Sequence, residues 1–574
     1  MDQAMKLKRN SKPADTRLEA ALAQQQIALP AITSAVLLWA SFAPLGAHWL
    51  AWLAVIGWLN VIEQEHPPGR RGYFKLWLSG VLFWLLILQG IRLAFWPLIF
   101  GWFAISFYLA VYTPLFVGVA RILRLRWQWP LCIAAPVAWV GLEVARSLLF
   151  TGFASNLLGH TQAHVPLLIQ IADQVGGYGV SFLLVTGAVA LRQLWFSLRT
   201  RKYGELKLPI SFALSLIVLT VGYGYWRLRQ SDALAAEKPL LSVLLIQENT
   251  PSIFESNPER TKMSWLRYVD ATREAAQRHG VADLVVWPES TFAAGVPWMR
   301  VELTDNKLPE KLIREEATLE SIAYYNEKYA AEFEYKVNTV LAAARDENLF
   351  SPPAVRNETR PHLLLGSDAV LISSQGVEQY NSTILVGPNA AYVDRYDKMH
   401  RVLVGEYMPV GLKFLADAFG AGSIQPGKNV KSFAVAGAKV TPSICFESML
   451  PEFVSWQVRK LKRSGNSPDI LINMTNDSWF WGSSILDHHL ACTIFCAVEN
   501  RRPMLIAANT GLSGHIDGAG RVLQVSPRLE KSVILAEPRA DSRIGLVQLA
   551  GYPAAWLCCA VVVLALLSPW LRRE

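Results

Sequence analysis

Three short stretches place chemically capable side chains where apolar runs end. In Val285-Val286-Trp287-Pro288-Glu289-Ser290 a strand-like run stops at Pro288 and delivers a carboxylate, Glu289. Tyr396-Asp397-Lys398-Met399-His400 carries an ammonium, Lys398, and is followed by Gly405-Glu406-Tyr407-Met408-Pro409 with a second carboxylate. In Ser443-Ile444-Cys445-Phe446-Glu447-Ser448 another strand runs into a turn that begins with a thiol. A carboxylate can move protons, an ammonium is a fixed positive charge, and a thiolate is a strong nucleophile. Taken singly, each residue has a commoner structural use: a solvated loop Glu, a surface Lys, a core Cys.

The other cysteines fit packing better than chemistry. Cys132, Cys558 and Cys559 lie in apolar spans, and Cys492 and Cys496 stand four apart on a predicted helix. Their spacing suggests neither a disulfide framework nor a zinc ribbon. Asp487-His488-His489 lacks third and fourth ligands at metal spacing. No metal and no cofactor are expected. Asn357-Glu358-Thr359 matches a glycosylation acceptor, a motif too short to carry weight.

The elements that must position these groups fall into two kinds. The chain has 574 residues, 52% hydrophobic and only 18% charged, against about 25% charged in a typical soluble domain. The deficit is concentrated in residues 30–228 and 552–570, while 238–550 has an ordinary soluble composition. Within 238–550, strands are predicted at 241–247, 284–287, 363–367, 382–386, 440–444, 470–474 and 504–508, and an amphipathic helix at 258–279. Strand and helix alternate, as in an α/β or α+β sandwich. Residues 300–345 are charged and helix-prone, and the helix predicted near 307–332 reads as a solvated face.

A spanning helix needs about 20 mostly apolar residues. Seven candidates precede the soluble part (30–46, 48–63, 73–95, 97–122, 129–149, 177–198 and 208–228), and 552–570 is an eighth. Basic residues cluster before the first span (Lys6, Lys8, Arg9, Lys12, Arg17) and in alternate loops: Arg70 and Arg71; Arg121, Arg124 and Arg126; Arg199, Arg201, Lys202 and Lys207. Arg572 and Arg573 end the chain, residues 150–176 contain no Lys or Arg, and only Arg227 and Arg229 run against the trend. The positive-inside bias therefore puts both termini in the cytoplasm and 238–550 outside it. The expected division is a cytoplasmic segment at 1–29, a membrane domain at 30–228, a soluble domain at 238–550 and a last span at 552–570. The net charge of +9 is spread over these loops and forms no nucleic-acid stripe.

Glu, Lys and Cys at strand ends, in this order, resemble the nitrilase (carbon–nitrogen hydrolase) superfamily. With eight spans enclosing that domain, the chain as a whole resembles the apolipoprotein N-acyltransferase family. Phe150-Thr151-Gly152-Phe153, Asn473-Met474-Thr475-Asn476-Asp477-Ser478-Trp479-Phe480, His489-Leu490, Glu499-Asn500-Arg501-Arg502-Pro503 and Asn509-Thr510-Gly511 add to the resemblance. It implies an α-β-β-α sandwich on a helical membrane bundle, in the bacterial inner membrane with the catalytic domain on the periplasmic side. It implies that Cys445 takes an acyl chain from a membrane phospholipid as a thioester. The chain then passes to the α-amino group of a diacylglyceryl apolipoprotein. Glu289 would be the base, and Lys398 with the Phe446 backbone N–H would stabilise the oxyanion. Glu406 and Glu447 would be further active-site carboxylates. The protein is expected to act as a monomer, with no nucleic-acid partner. A membrane-tethered C–N hydrolase is the alternative, since the triad would be the same.

The chain also departs from the family pattern. Arg401-Val402-Leu403-Val404 stands where Leu-Val-Pro-Phe is usual, Ala154-Ser155 where Pro-Trp is usual, and Trp481 intervenes between Phe480 and Gly482. Glu289 and Lys398 are 109 positions apart, a long interval that the charged segment accounts for.

Overall fold

The apolar runs predicted as strands show little alternation because both of their faces are covered. In the computed structural model, residues 13–150, 152–251, 257–304, 307–347, 361–403, 405–407 and 424–568 are described, with side chains from residue 27 onward. Lys6, Lys8, Arg9, Lys12, Arg572, Arg573, Thr151, Val404, Met408, Pro409 and the Asn357-Glu358-Thr359 motif lie outside the described residues, as does the Arg17 side chain.

The strands are β1 Val243–Gln247, β2 Leu284–Trp287, β3 Trp298–Glu302, β4 His362–Ser373, β5 Gly376–Val386, β6 Tyr392–Asp397, β7 Phe433–Val435, β8 Ala438–Ile444, β9 Ile470–Thr475, β10 Met504–Ala508, β11 Gly514–Ile516, β12 Val522–Val525 and β13 Ser532–Ala536. They form two sheets. One runs β13-β1-β2-β4-β5-β6, with β3 added along the far end of β4; the other runs β12-β11-β10-β9-β8-β7. The central strands β1, β2 and β4 are parallel, as are β8, β9 and β10.

Alternate residues of each strand enter different cores. Val243, Leu245, Val286 and Leu364 face Val440, Ile472 and Leu505 across the gap between the sheets. Leu244, Val285, Trp287 and Leu363 turn outward onto helices Pro258–His279 and Leu319–Ala344 through Tyr268, Ala275, Val337 and Val340. Met504 and Ile506 of the second sheet meet Phe453, Ile494 and Phe495 of helices Pro451–Arg463 and Ile485–Asn500. The layers are helix, sheet, sheet, helix, as the resemblance implied. Each fully buried Leu, Ile, Val or Phe contributes about 1.5–3 kcal/mol.

The charged segment differs from expectation. Its first part is β3, which pairs in parallel with β4, followed by a short helix, Glu310–Arg314. Its second helix runs on to Ala344, opened by a capping box between Thr318 and Ser321. The solvated face belongs to the first half; the second half, through Val337, Val340 and Leu341, is part of the outer helix layer.

Helices occupy all eight predicted apolar stretches. Among the described residues, four helices are long and apolar enough to cross a membrane: Leu98–Arg126, Leu131–Leu148, Ala172–Thr200 and Gly204–Leu234. Ile27–Ser41, His48–Ile62 and Pro553–Leu567 are shorter apolar helices. The first described helix, Pro13–Ser41, covers part of the segment expected to be cytoplasmic as well as the first predicted span. The predicted run 73–95 is not one helix. Gly69–Ile87 stops, and the chain turns at Gly90, where any side chain would strike Ser483 and Ile485 of the sandwich.

Bundle and sandwich share one core. Leu158, Val180 and Leu184 of the bundle belong to the same buried cluster as Ile494 and Phe495. At this junction Asp173, fully buried, sits between Arg227 (2.7 Å) and Arg501 (2.8 Å), and accepts from the Tyr223 hydroxyl at 2.8 Å. Gly176, with φ +68°, breaks the helix beside it and leaves room for the Tyr552 ring, 2.6 Å from where a Cβ would sit.

Candidate active site

The first loop of the site is set by a missing side chain. β2 ends at Trp287, and the next residues cross over β4 at Gly366, where an added Cβ would come within 2.7 Å of Glu289 Cα. The Phe292 N–H donates to the Gly366 carbonyl at 2.9 Å and fixes the crossing. Glu289 is thereby held almost buried, 7% exposed. Its Oε1 accepts from Asn381 Nδ2 at 2.7 Å and Lys398 Nζ at 3.1 Å, and its Oε2 from the Asn476 N–H at 2.9 Å.

Lys398 leaves the end of β6 with its own N–H bound to the Asn381 carbonyl at 2.8 Å. Its ammonium, 1% exposed, lies between Glu289 and Glu406, the latter at 2.8 Å. Burial by itself would depress this ammonium. Cys445 when ionised, Glu289 and Glu406 outweigh burial and hold Lys398 charged, well above its ordinary range. Glu406 also accepts from Asn381 Nδ2 at 3.2 Å and from the Val402 N–H at 2.8 Å, so it clamps its own loop to the cation.

Cys445 is the first residue beyond β8 and has φ +55°, a strained value for a residue with a Cβ. The strain turns the chain sharply from strand into the single turn Cys445–Met449. Asn473 Nδ2 donates to the Cys445 carbonyl at 2.9 Å and secures that turn. Burial pushes the Cys445 thiol well above its ordinary range, and Glu289 adds to this against the opposing pull of Lys398. The resting group is therefore a neutral thiol within electrostatic reach of a carboxylate and a cation.

Glu447 serves differently from Glu406. It is fully buried, and burial raises its carboxyl. Oε1 accepts from the Met399 and His400 N–H groups at 2.7 and 3.0 Å; Oε2 accepts from the Tyr396 hydroxyl and the Ile444 N–H, both at 2.8 Å. It ties the loop carrying Lys398 to the strand end carrying Cys445 and makes no contact with the ammonium. Phe446 places its ring 5.7 Å from Lys398 Nζ. An arrangement of base, cation and thiol on three strand exits can support acyl transfer through a covalent sulfur intermediate.

The N-terminal domain model for apolipoprotein N-acyltransferase matches residues 34–190, and the carbon–nitrogen hydrolase model matches residues 249–543. An apolipoprotein N-acyltransferase from Rhodopirellula baltica is 32% identical over 94% of this chain and 97% of its own length. The chain belongs to the apolipoprotein N-acyltransferase family. A second member, from Geobacter metallireducens, is 30% identical over 93% of each chain. Among solved structures, an amidase from Nesterenkonia sp. is 15% identical, with a TM-score of 0.33, over 54% of this chain and 94% of that one.

The structure brings Glu289, Lys398, Glu406 and Cys445 together and sets Phe446 and Glu447 beside them. Sequence reasoning missed Asn381, which holds both carboxylates through one amide, and Gly366, which admits Glu289. The Tyr380-Asn381-Ser382 stretch offers a signal, a buried-strand residue that is polar without need. Of the histidines, His489 Nε2 lies 2.6 Å from Ser448 Oγ, and His488 packs edge-on against Phe42. Among the described residues no group of His, Cys, Asp and Glu could hold a metal ion.

Proposed function

We propose that this chain is an apolipoprotein N-acyltransferase in which Cys445 carries the acyl group. Glu289 is the general base, and Lys398 with the Phe446 N–H receives the oxyanion. Glu406 holds Lys398, and Glu447 positions its loop. In the first half-reaction Glu289 takes the thiol proton as sulfur attacks an ester carbonyl of a membrane phospholipid. The ester C–O bond breaks, and the leaving lysophospholipid oxygen takes that proton. In the second, the α-amino nitrogen of a diacylglyceryl apolipoprotein attacks the thioester and the C–S bond breaks. Sulfur recovers its proton through Glu289, leaving an amide.

The observation that carries this reading is the buried Lys398 ammonium gripped by Glu289 and Glu406 beside a strained Cys445, in a chain of this family. The membrane placement follows from charge and apolarity. Eight helices serve as spans, with 1–29 in the cytoplasm, 30–228 and 552–570 in the bacterial inner membrane, and 238–550 on the periplasmic face. Both substrates carry acyl chains that cost about 0.8 kcal/mol per CH₂ to move into water, so lateral entry from the bundle avoids that cost.

A single-turnover assay tests the transfer. Acyl-enzyme formed from phospholipid should persist without acceptor and discharge on addition of a diacylglyceryl-cysteine peptide with a free amine, giving an N-acylated peptide. Rapid release of free fatty acid, indifferent to the peptide, would establish hydrolysis instead.

A further inference from the structure

One carboxylate near the base has no partner among the described residues. Asp368 lies on β4, two residues beyond Gly366 and directly opposite Asn381 of β5. Alternate residues of a strand share a face, and so do cross-strand partners. Gly366, Asp368 and Asn381 therefore share the face that turns toward the second sheet, as Leu364 and Leu385 do further along it. Glu289 enters on that face over Gly366. The Asp368 side chain is exposed, in contrast to Glu289 and Asn381 at 7% and 4%. Its carboxylate makes no hydrogen bond or ion pair among the described residues.

Asn381 supplies a second, independent sign. Its Nδ2 is committed to Glu289 and Glu406, while its enclosed Oδ1 accepts no hydrogen bond from any described residue. A buried acceptor left without a donor is costly, so a partner that donates to it gains binding. Beside the general base there are thus two acceptors wanting donors, and three carboxylates (Glu289, Glu406 and Asp368) against the single ammonium of Lys398. A group that satisfies this set must carry several N–H donors and a positive charge. A phospholipid phosphate is repelled by it, whereas a primary ammonium matches it.

We propose that Asp368, with Asn381 Oδ1, forms the subsite that receives the ammonium end of the acyl acceptor and delivers the nitrogen to the thioester beside Glu289. The inference rests on the acyl-transfer reading above and names where its second substrate binds. The crowding of the anion is consistent with it. Solvent reaches Asp368, yet the walls around it exclude enough water, and Glu289 and Glu406 lie close enough, to push its carboxyl up to about 6. A bound cation relieves that crowding. The protons also balance. Of the two that nitrogen sheds between ammonium and amide, one returns to the Cys445 sulfur through Glu289, and the other leaves by the exposed Asp368 to solvent.

The test separates the two half-reactions in the full-length enzyme in detergent–phospholipid micelles. Acyl-Cys445 is followed by intact mass, and its discharge is measured against diacylglyceryl-cysteine peptide concentration. Asp368→Asn should acylate at the wild-type rate but need about tenfold more peptide for half-maximal discharge, equivalent to about 1.4 kcal/mol of lost binding. Asp368→Glu should restore most of the loss. Neutral hydroxylamine, which needs no ammonium subsite, should discharge both forms alike. Wild-type peptide dependence in Asp368→Asn would overturn the subsite, as would equal slowing of both half-reactions, which marks a structural role. If the wild-type acyl-enzyme itself ignores the peptide, the acyl-transfer reading falls, and the subsite with it.

Discussion

Glu289→Gln should make Cys445 more reactive toward a simple alkylating agent while nearly abolishing catalysis. The two effects have opposite signs because Glu289 does two things. At rest its charge opposes ionisation of the thiol, and during turnover its carboxylate accepts the thiol proton. The substitution keeps an acceptor for Asn381 and Lys398 but removes the charge, and it frees Lys398 to act more fully on sulfur. Removing one nearby like charge lowers a thiol pKa by roughly one to three units. Each unit raises the thiolate fraction about tenfold but costs about threefold in intrinsic nucleophilicity, leaving a net gain of roughly 3.5-fold per unit. Alkylation should thus accelerate by about 3-fold to about 40-fold, while turnover falls by about 10²–10⁴ with loss of the base. The assay is iodoacetamide labelling at pH 8 followed by intact mass, with Cys445→Ser reporting any background. That background should be small, because Cys492 and Cys496 are buried and burial pushes the Cys492 thiol up to about 12. Unchanged or slower labelling in Glu289→Gln would refute the reasoning, since Glu289 would then be activating the resting thiol or standing apart from it.

Three further outcomes follow from the same geometry. Gly366→Ala places a Cβ 2.7 Å from Glu289 Cα and should cut transfer by about 10², with a smaller effect on the unfolding midpoint; equal losses in both would contradict it. Arg501→Met strips buried Asp173 of one of its two cations and should cost about 3 kcal/mol, read as a lowered midpoint in detergent; an unchanged midpoint would show that the junction does not depend on it. Burial pushes Glu499 up to about 8. The folded protein then keeps a proton that the unfolded chain has released, so this contribution to stability is full below the ordinary carboxyl range and is lost as pH rises through about 8. Glu499→Gln, neutral throughout, should flatten the fall between pH 5 and 8, and a slope equal to wild type would count against this.

Much of this was legible because burial left a mark on residue type. Residues 284–287 and 504–508 are strands bounded as predicted, since covered faces demand unbroken apolar runs. Glu289 and Cys445 were legible because each follows such a run directly. β6 escaped notice although it delivers Lys398. Its residues Tyr392 to Asp397 form an edge strand carrying Asp394, Arg395 and Asp397, whose only hint is the burial of Tyr396. β3 was hidden by the charge around it, and the helix predicted near 307–332 gave no sign of its packed half, which lies mostly beyond residue 332. Asn381 and Gly366 could not be weighed from sequence, since what they do depends on residues 92 and 77 positions away in the chain. The need for Gly90 was hidden for a related reason: the residues that a side chain there would strike, Ser483 and Ile485, belong to the other half of the molecule.

The central claim is that sulfur of Cys445 carries the acyl chain. Intact mass spectrometry of the purified protein after exposure to diacyl phospholipid, followed by peptide mapping, tests it most directly. One acyl mass should appear on the peptide containing Cys445, leave on treatment with neutral hydroxylamine, and be absent as a thioester from Cys445→Ser. A hydroxylamine-labile label that persists in that variant, or that maps to Cys492 or Cys496, would contradict the account.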